Sequence, residues 1–280
     1  MDLLINQLQD YIKNPVPVFD SELAKVLAQH KTNQLKKEGV LDEEVGYTTT
    51  NVFHKRKLTK PALFTSVAEN TYIELPDFKQ LNNFYLEQGL ELAYPSEFNL
   101  IDVEGQIKSA MALLDKVQSC GETVRALTRA VQVLKQPEPE FDVSYSHPDI
   151  PFTIFVSVGQ KHSELDTIRL AEAILHETMH LKLTLIESHI TFFNGGPQTF
   201  YSPWREEYRP VRGVLHGLYV FSAINDFLKK ILETLDTMEQ KEFVLWRIEE
   251  LGQQFYMLSD FPNCDGITED GATLSTNLLP

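Results

Sequence analysis

Cysteine is scarce in this chain, with only Cys120 and Cys264 among 280 residues. Two thiols so far apart in sequence build neither a disulfide framework nor a cysteine-rich metal site, and they read as ordinary thiols. Basic residues are also few, 25 Lys and Arg against 40 Asp and Glu, for a formal charge of −15. That balance argues against a nucleic-acid backbone as partner, which demands a basic surface, and suits a neutral or cationic peptide. No apolar run approaches the roughly 18 residues of a membrane-spanning helix. The opening MDLLINQLQDYIKN lacks the basic start and apolar stretch of an export signal. The expectation is a cytoplasmic protein with no membrane association. Internal repeats, phosphate-binding glycine loops and nucleophile elbows are missing too.

What the chain does contain is His176-Glu177-Thr178-Met179-His180, inside the segment LAEAILHETMHLKLTLIE. Apolar residues at Leu170, Ile174, Leu175, Leu181, Leu185 and Ile186, with no internal Gly or Pro, predict one largely buried helix over 168–186. Two imidazoles four residues apart then share a face one turn apart, which is half a metal site. Burying such groups without partners costs about 1–3 kcal/mol each, and a metal supplies partners. Hydrogen-bonded core histidines are the plainer alternative. The usual reading of H-E-x-x-H is a zinc peptidase in which the glutamate activates metal-bound water.

The third ligand decides between chemistries. A metzincin needs Gly and then His three and six residues after His180, where this chain has Leu183 and Ile186. A thermolysin-like glutamate would fall about twenty residues on, at Thr199 and Phe200; the nearest acids are Glu206 and Glu207. Glu187 returns to within roughly 20° of the His180 face but lies about 10 Å along the axis, too far to share one ion. His189 points about half a turn away. Both read as supporting, substrate-facing or surface groups. His216 lies in YSPWREEYRPVRGVLHGLYVFSAINDFL, where Pro210 suits a first helical position and Arg212 and His216 share a face. A second helix packed on the first could complete a three-histidine site.

Arg205, Arg209 and Arg212 crowd together just before His216. They can form a solvated ion-pair cluster with Glu206 and Glu207. They can equally form a carboxylate clamp, because guanidinium groups stay charged and bind carboxylates bidentately. Arginine beside a metal site suggests an anionic cosubstrate, for which a peptidase has less need.

Three blocks, HPDIPFTIFVSV (147–158), LAEAILHETMHLKLTLIE (170–187) and SPWREEYRPVRGVLHGLYVF (202–221), together resemble the α-ketoglutarate-dependent HExxH-type peptide β-hydroxylases, which modify precursor peptides of ribosomally made natural products. The combination of HExxH with PWR, RP and LHG is far more specific than HExxH alone, and it covers a quarter to a third of the chain. The resemblance implies an iron(II) site with His176, His180 and His216 as ligands, and α-ketoglutarate and O2 as cosubstrates. It implies a non-heme dioxygenase, an oxidoreductase that hydroxylates the β-carbon of a side chain in a precursor peptide, with or without a leader region. Arg205 or Arg209, with Arg212 beside them, would hold the keto acid's remote carboxylate, and Glu177 would hydrogen-bond around the site. Better-known iron oxygenases use two histidines and a carboxylate, so a three-histidine set is a departure. Two other readings stand beside it. One is a zinc metallopeptidase with Glu177 as general base and Glu206 or Glu207 as third ligand. The other is an inactive peptide-binding maturation partner with structural histidines.

The expected fold is mainly α: a helical domain with a small β-hairpin or sheet next to a metal site held between two helices. Residues 1–140 read as an N-terminal helical region, with helices through Gly39 and near Asp77–Leu92, Asp102–Val117 and Glu122–Leu134. In the last of these, Ala126, Leu127, Ala130 and Val133 follow helical spacing. Residues 141–260 form the HExxH region, in one compact domain with the former. There Phe141–Tyr145 and Phe152–Val158 are β-rich runs that should pair, and a last helix spans Lys241–Leu258. Residues 261–280 are polar and aperiodic, which predicts disorder or a lid over the site. The basic run His54–Lys60 reads as a solvated loop, or as a dock for an acidic leader.

Overall fold

The computed structural model describes residues 2–15, 18–41, 47–56, 63–94, 96–97, 99–138, 141–159 and 163–280. The chain opens with α1 (Asp2–Lys13) and α2 (Ser21–Lys37). α2 starts where the Asp20 carboxylate accepts from Leu23 N, and stops before Gly39, which adopts the left-handed conformation that ends helices. A short α3 (Thr49–Phe53) precedes the hairpin β1 (Leu63–Ala68) and β2 (Thr71–Glu74). Then come α4 (Phe78–Glu87), α5 (Leu100–Asp115), α6 (Gln118–Leu127), β3 (Ala130–Leu134), β4 (Ser144–Ser146) and β5 (Thr153–Ser157). The C-terminal half holds α7 (Asp166–Glu187), β6 (Thr199–Ser202), β7 (Glu207–Pro210), α8 (Val211–Ile231), α9 (Met238–Tyr256) and α10 (Glu269–Leu278). With 57% of the chain in helices, a mixed five-stranded sheet and a two-stranded one, the protein is mainly helical, as the sequence predicts. No helix among the described residues is long and apolar enough to cross a membrane.

The larger sheet runs in the order β1-β2-β3-β5-β4. β3 pairs in parallel with both β2 and β5, while β1 and β4 close the edges antiparallel. The two runs expected to pair do so, with Tyr145 opposite Phe155. The helix expected over Glu122–Leu134 is two elements instead. α6 ends at Leu127, and Ala130–Leu134 is the central strand β3, buried at every position. A parallel strand covered on both faces reads as an unbroken apolar run without alternation, so Ala130 and Val133 could be mistaken for a helical stripe.

The C-terminal residues are neither disordered nor a lid. A 3-10 turn at Phe261–Asn263 leads to α10, capped by Thr268 Oγ1 accepting from Gly271 N, with Leu274 and Leu278 buried against α8 and α1. Asn277 Nδ2 donates to the carbonyls of Ile12 and Lys13, which ties the end of the chain to its beginning. Of the basic run, only His54, Lys55 and Arg56 belong to the described residues; Lys57 to Lys60 lie outside them.

Candidate metal centre

α7 forms as predicted and extends slightly at both ends. A reciprocal pair closes the turn that leads into it: Ser163 N donates to the Asp166 carboxylate and Asp166 N to Ser163 Oγ. The helix packs on α5, α6, α8, β4 and β5. Two polar groups anchor it within that shell. Thr178 Oγ1 donates to the Ile174 carbonyl and meets Thr128 Oγ1 at 2.8 Å. Lys182, fully buried, donates to the Val18 carbonyl at 2.7 Å and stands 4.7 Å from the Tyr11 ring centre; burial brings its pKa down to about 7. α8 begins one residue later than predicted. Pro210 ends β7 and precedes the helix, since its backbone is still extended.

α7 and α8 bring the three histidines into one line. His176 Nε2 and His180 Nε2 are 3.1 Å apart, and His180 Nδ1 is 3.1 Å from His216 Nδ1. His216 Nε2 donates to Glu187 Oε1 at 3.0 Å, and Glu187 Oε2 accepts two bonds from Arg212 at 2.7 and 3.2 Å. A carboxylate at the end of such a line fixes the tautomers along it. With His216 Nε2 on Glu187, its Nδ1 faces His180 Nδ1, and His180 Nε2 faces His176. Burial, then the nearby Arg205 and Arg247 charges, lowers the His176 pKa to about 4. Burial first, then His176 and His216, carries His180 well below the usual histidine range. Both rings are therefore neutral at pH 7, the form that ligates metals. Burial alone would raise the Glu187 carboxyl, but the bonds from His216 and Arg212 hold it below its ordinary value.

Glu177 turns toward the sheet. Its two carboxylate oxygens accept from Ser144 Oγ at 2.6 Å and Ser146 Oγ at 2.7 Å, both on β4, and Oε1 lies 3.9 Å from His176 Nε2. Burial raises its pKa to about 7, against the opposing pull of the two serine bonds and of Arg205. Residues two apart on a strand share a face, which is why both hydroxyls of Ser-Tyr-Ser reach one carboxylate.

The β6–β7 hairpin supplies Arg205 and Arg209, and α8 supplies Arg212. Trp204, in its turn, stacks on Phe221 of α8 with ring centres 4.7 Å apart, and Phe221 lies 5.2 Å from the His176 ring. The indole also covers Gly217: a Cβ there would stand 2.6 Å from two Trp204 ring carbons. The spacing of PWR and LHG in the sequence thus has a physical cause. Arg205, next to the anchored indole, has no carboxylate partner among the described residues, and Arg209 has only Glu207 at 3.7 Å. Arg212 is committed to Glu187.

All seven residues singled out from the sequence, His176, Glu177, His180, Arg205, Arg209, Arg212 and His216, line one cleft of 530 Å³. A second groove of 730 Å³ shares Asp142, Ser144 and His176 with it and runs between α7 and α9 past Phe243 and Trp246. Glu187 is placed as helix geometry required, away from His180. His189 faces elsewhere, edge-on to His30 at 4.9 Å. Ser144 and Ser146 were not foreseen; their alternating spacing was visible, but nothing in it named α7 as the face they meet.

The donor set suits a divalent cation in kind. Two nitrogens each about 2.1 Å from one ion stand roughly 3.0–3.4 Å apart, and the Nε2 atoms of His176 and His180 are 3.1 Å apart. His216 meets the opposite edge of the His180 ring, so among the described residues no three His, Cys, Asp or Glu side chains converge on one point. Joining the pair requires the His216 ring to turn past His180. No protein-family model matches the chain, and no curated protein matches it.

Proposed function

We propose that this protein is an iron(II)- and α-ketoglutarate-dependent oxygenase that β-hydroxylates a side chain of a ribosomally made precursor peptide. The observation that carries this reading is the pairing of opposites in one cleft. Neutral imidazoles and Arg205, a guanidinium with no carboxylate in ion-pair contact among the described residues, line the same space. A peptide hydrolase has less need of a guanidinium there, whereas a dianionic keto acid calls for one. The blocks HPDIPFTIFVSV, LAEAILHETMHLKLTLIE and SPWREEYRPVRGVLHGLYVF support the same reading by resemblance.

His176 and His180 would hold the iron, with His216 joining them. Bound iron would supply the activation of O2 coupled to oxidative decarboxylation of the keto acid. The chain's own residues bind, orient and exclude. Arg205 would take the remote carboxylate, with Arg209 in support. Glu187, braced by Arg212, sets which nitrogen of His216 carries the proton. Ser144 and Ser146 fix Glu177 beside His176. Phe221, backed by Trp204, packs edge-on against the His176 ring and would hold it in place. The groove past Phe243 and Trp246 offers an extended peptide a path to His176, and positioning one C–H bond is the protein's main task.

Replacing Arg205 by Ala tests the assignment. Keto-acid affinity should fall by roughly tenfold or more, as for loss of a charge-assisted bond, with iron affinity unchanged. Unchanged keto-acid affinity would remove Arg205 from the site. One observation favours a zinc hydrolase as second reading: Glu177, at about 7, sits in the range of an effective general base. Peptide cleavage by the zinc-loaded protein, abolished in Glu177→Gln, would establish it.

A further inference from the structure

A separate cavity of 520 Å³ shares no lining residue with the imidazole cleft. It lies among α2, α6 and the β1–β2 hairpin, and three cations face it, Lys25, Arg125 and Arg129, in a chain of net charge −15. Two of the three are already neutralised. Lys25 pairs with Glu22 and Glu122 at 2.8 Å each, and Arg125 pairs with Asp115. Arg129 differs. Its guanidinium lies 4.3 Å from the Phe152 ring centre and 6.0 Å from that of Tyr47. Its one side-chain hydrogen bond among the described residues runs from Nη2 to Thr32 Oγ1 at 2.6 Å, and no carboxylate there lies within ion-pair distance.

A guanidinium keeps its charge even where burial works against it, and burial does lower the Arg129 pKa. A part-buried charge with no counter-charge among the described residues is costly unless a further partner meets it. The cation–π contact with Phe152 and the bond to Thr32 hold the guanidinium at the cavity and leave its remaining N–H groups to a planar or tetrahedral oxyanion. Gln29, Asn70 and Tyr72 add polar side chains around the same space. We propose that this cavity is an oxyanion site, in which Arg129 takes a carboxylate or phosphate group of a small ligand.

The test is calorimetric titration of the full-length, metal-free protein with inorganic phosphate and, separately, with citrate, at an ionic strength fixed with sodium chloride. One anion should bind with one-to-one stoichiometry, and which of them binds more tightly identifies the headgroup. Arg129→Gln should weaken that binding by about tenfold or more, while Arg129→Lys should restore part of it. Arg205→Ala should leave it unchanged, which separates this site from the cleft of the proposed oxygenase. If Arg129→Gln fails to fold by circular dichroism, Arg129→Lys carries the test and must bind more weakly than the parent. Binding of neither anion, equal binding in Arg129→Gln, or loss in Arg205→Ala instead would overturn the proposal.

Discussion

Gly217→Ala puts a methyl group where Trp204 already sits. The added Cβ would lie 2.6 Å from Cε3 and Cζ3 of the indole, and ordinary contact begins at 3.4 Å, so the ring must retreat by about 0.8 Å. It cannot do so freely, because the ring also stacks on Phe221 and meets the Phe255 ring edge-on. Overpacking of this kind costs about 1–3 kcal/mol. Exchanging Gly for Ala within a helix returns about 0.5–1 kcal/mol. The expected net loss is about 1 kcal/mol in urea denaturation, with a lower midpoint and an unchanged slope. The sign should reverse in a Trp204→Ala background, where the clash is gone and only the helix preference remains. The hairpin carrying Arg205 moves with the indole, so the single variant should also lose keto-acid affinity. Stabilisation by Gly217→Ala alone, or the same loss in both backgrounds, would refute the proposed coupling of Gly217 to Trp204.

Other outcomes follow from buried carboxylates. Burial raises the Glu74 pKa above 4.5, against bonds from Thr49 and Gln132. Between its unfolded and folded values the native state holds the extra proton, so stability falls as pH rises through that window. Glu74→Gln lacks this titration and should gain on the parent as pH rises from about 4.5; parallel stability curves would contradict this. Ser144→Ala with Ser146→Ala removes two bonds that favour ionised Glu177, so its titration should move above about 7, read from the carboxyl infrared band in metal-free protein. A downward shift would mean the serines hold the protonated acid.

Much of this architecture was legible where one face of an element alternates with solvent or follows the helical repeat. α7 carries its apolar residues at helical spacing with no breaker, and β5 pairs with β4 as the β-rich runs suggested. β3 was hidden because covering on both faces erases alternation. α10 was hidden because Leu274 and Leu278, four residues apart, are its whole buried apolar stripe in a polar segment. In the cleft, helix geometry correctly separated Glu187 from His180. It could not reveal that α8 brings His216 and Arg212 to that same carboxylate, since such a contact depends on the crossing of two helices. The arginines divide for a similar reason: spacing groups Arg205, Arg209 and Arg212, and only tertiary pairing shows that Arg212 is already engaged.

The most direct test of the central claim is an anaerobic titration of metal-free protein with iron(II) and then α-ketoglutarate, followed by visible absorption. A saturable charge-transfer band that appears only with both, and is lost in His216→Ala, is the predicted result. Tight zinc binding with no such band from iron and keto acid would contradict the oxygenase and turn attention to peptide cleavage.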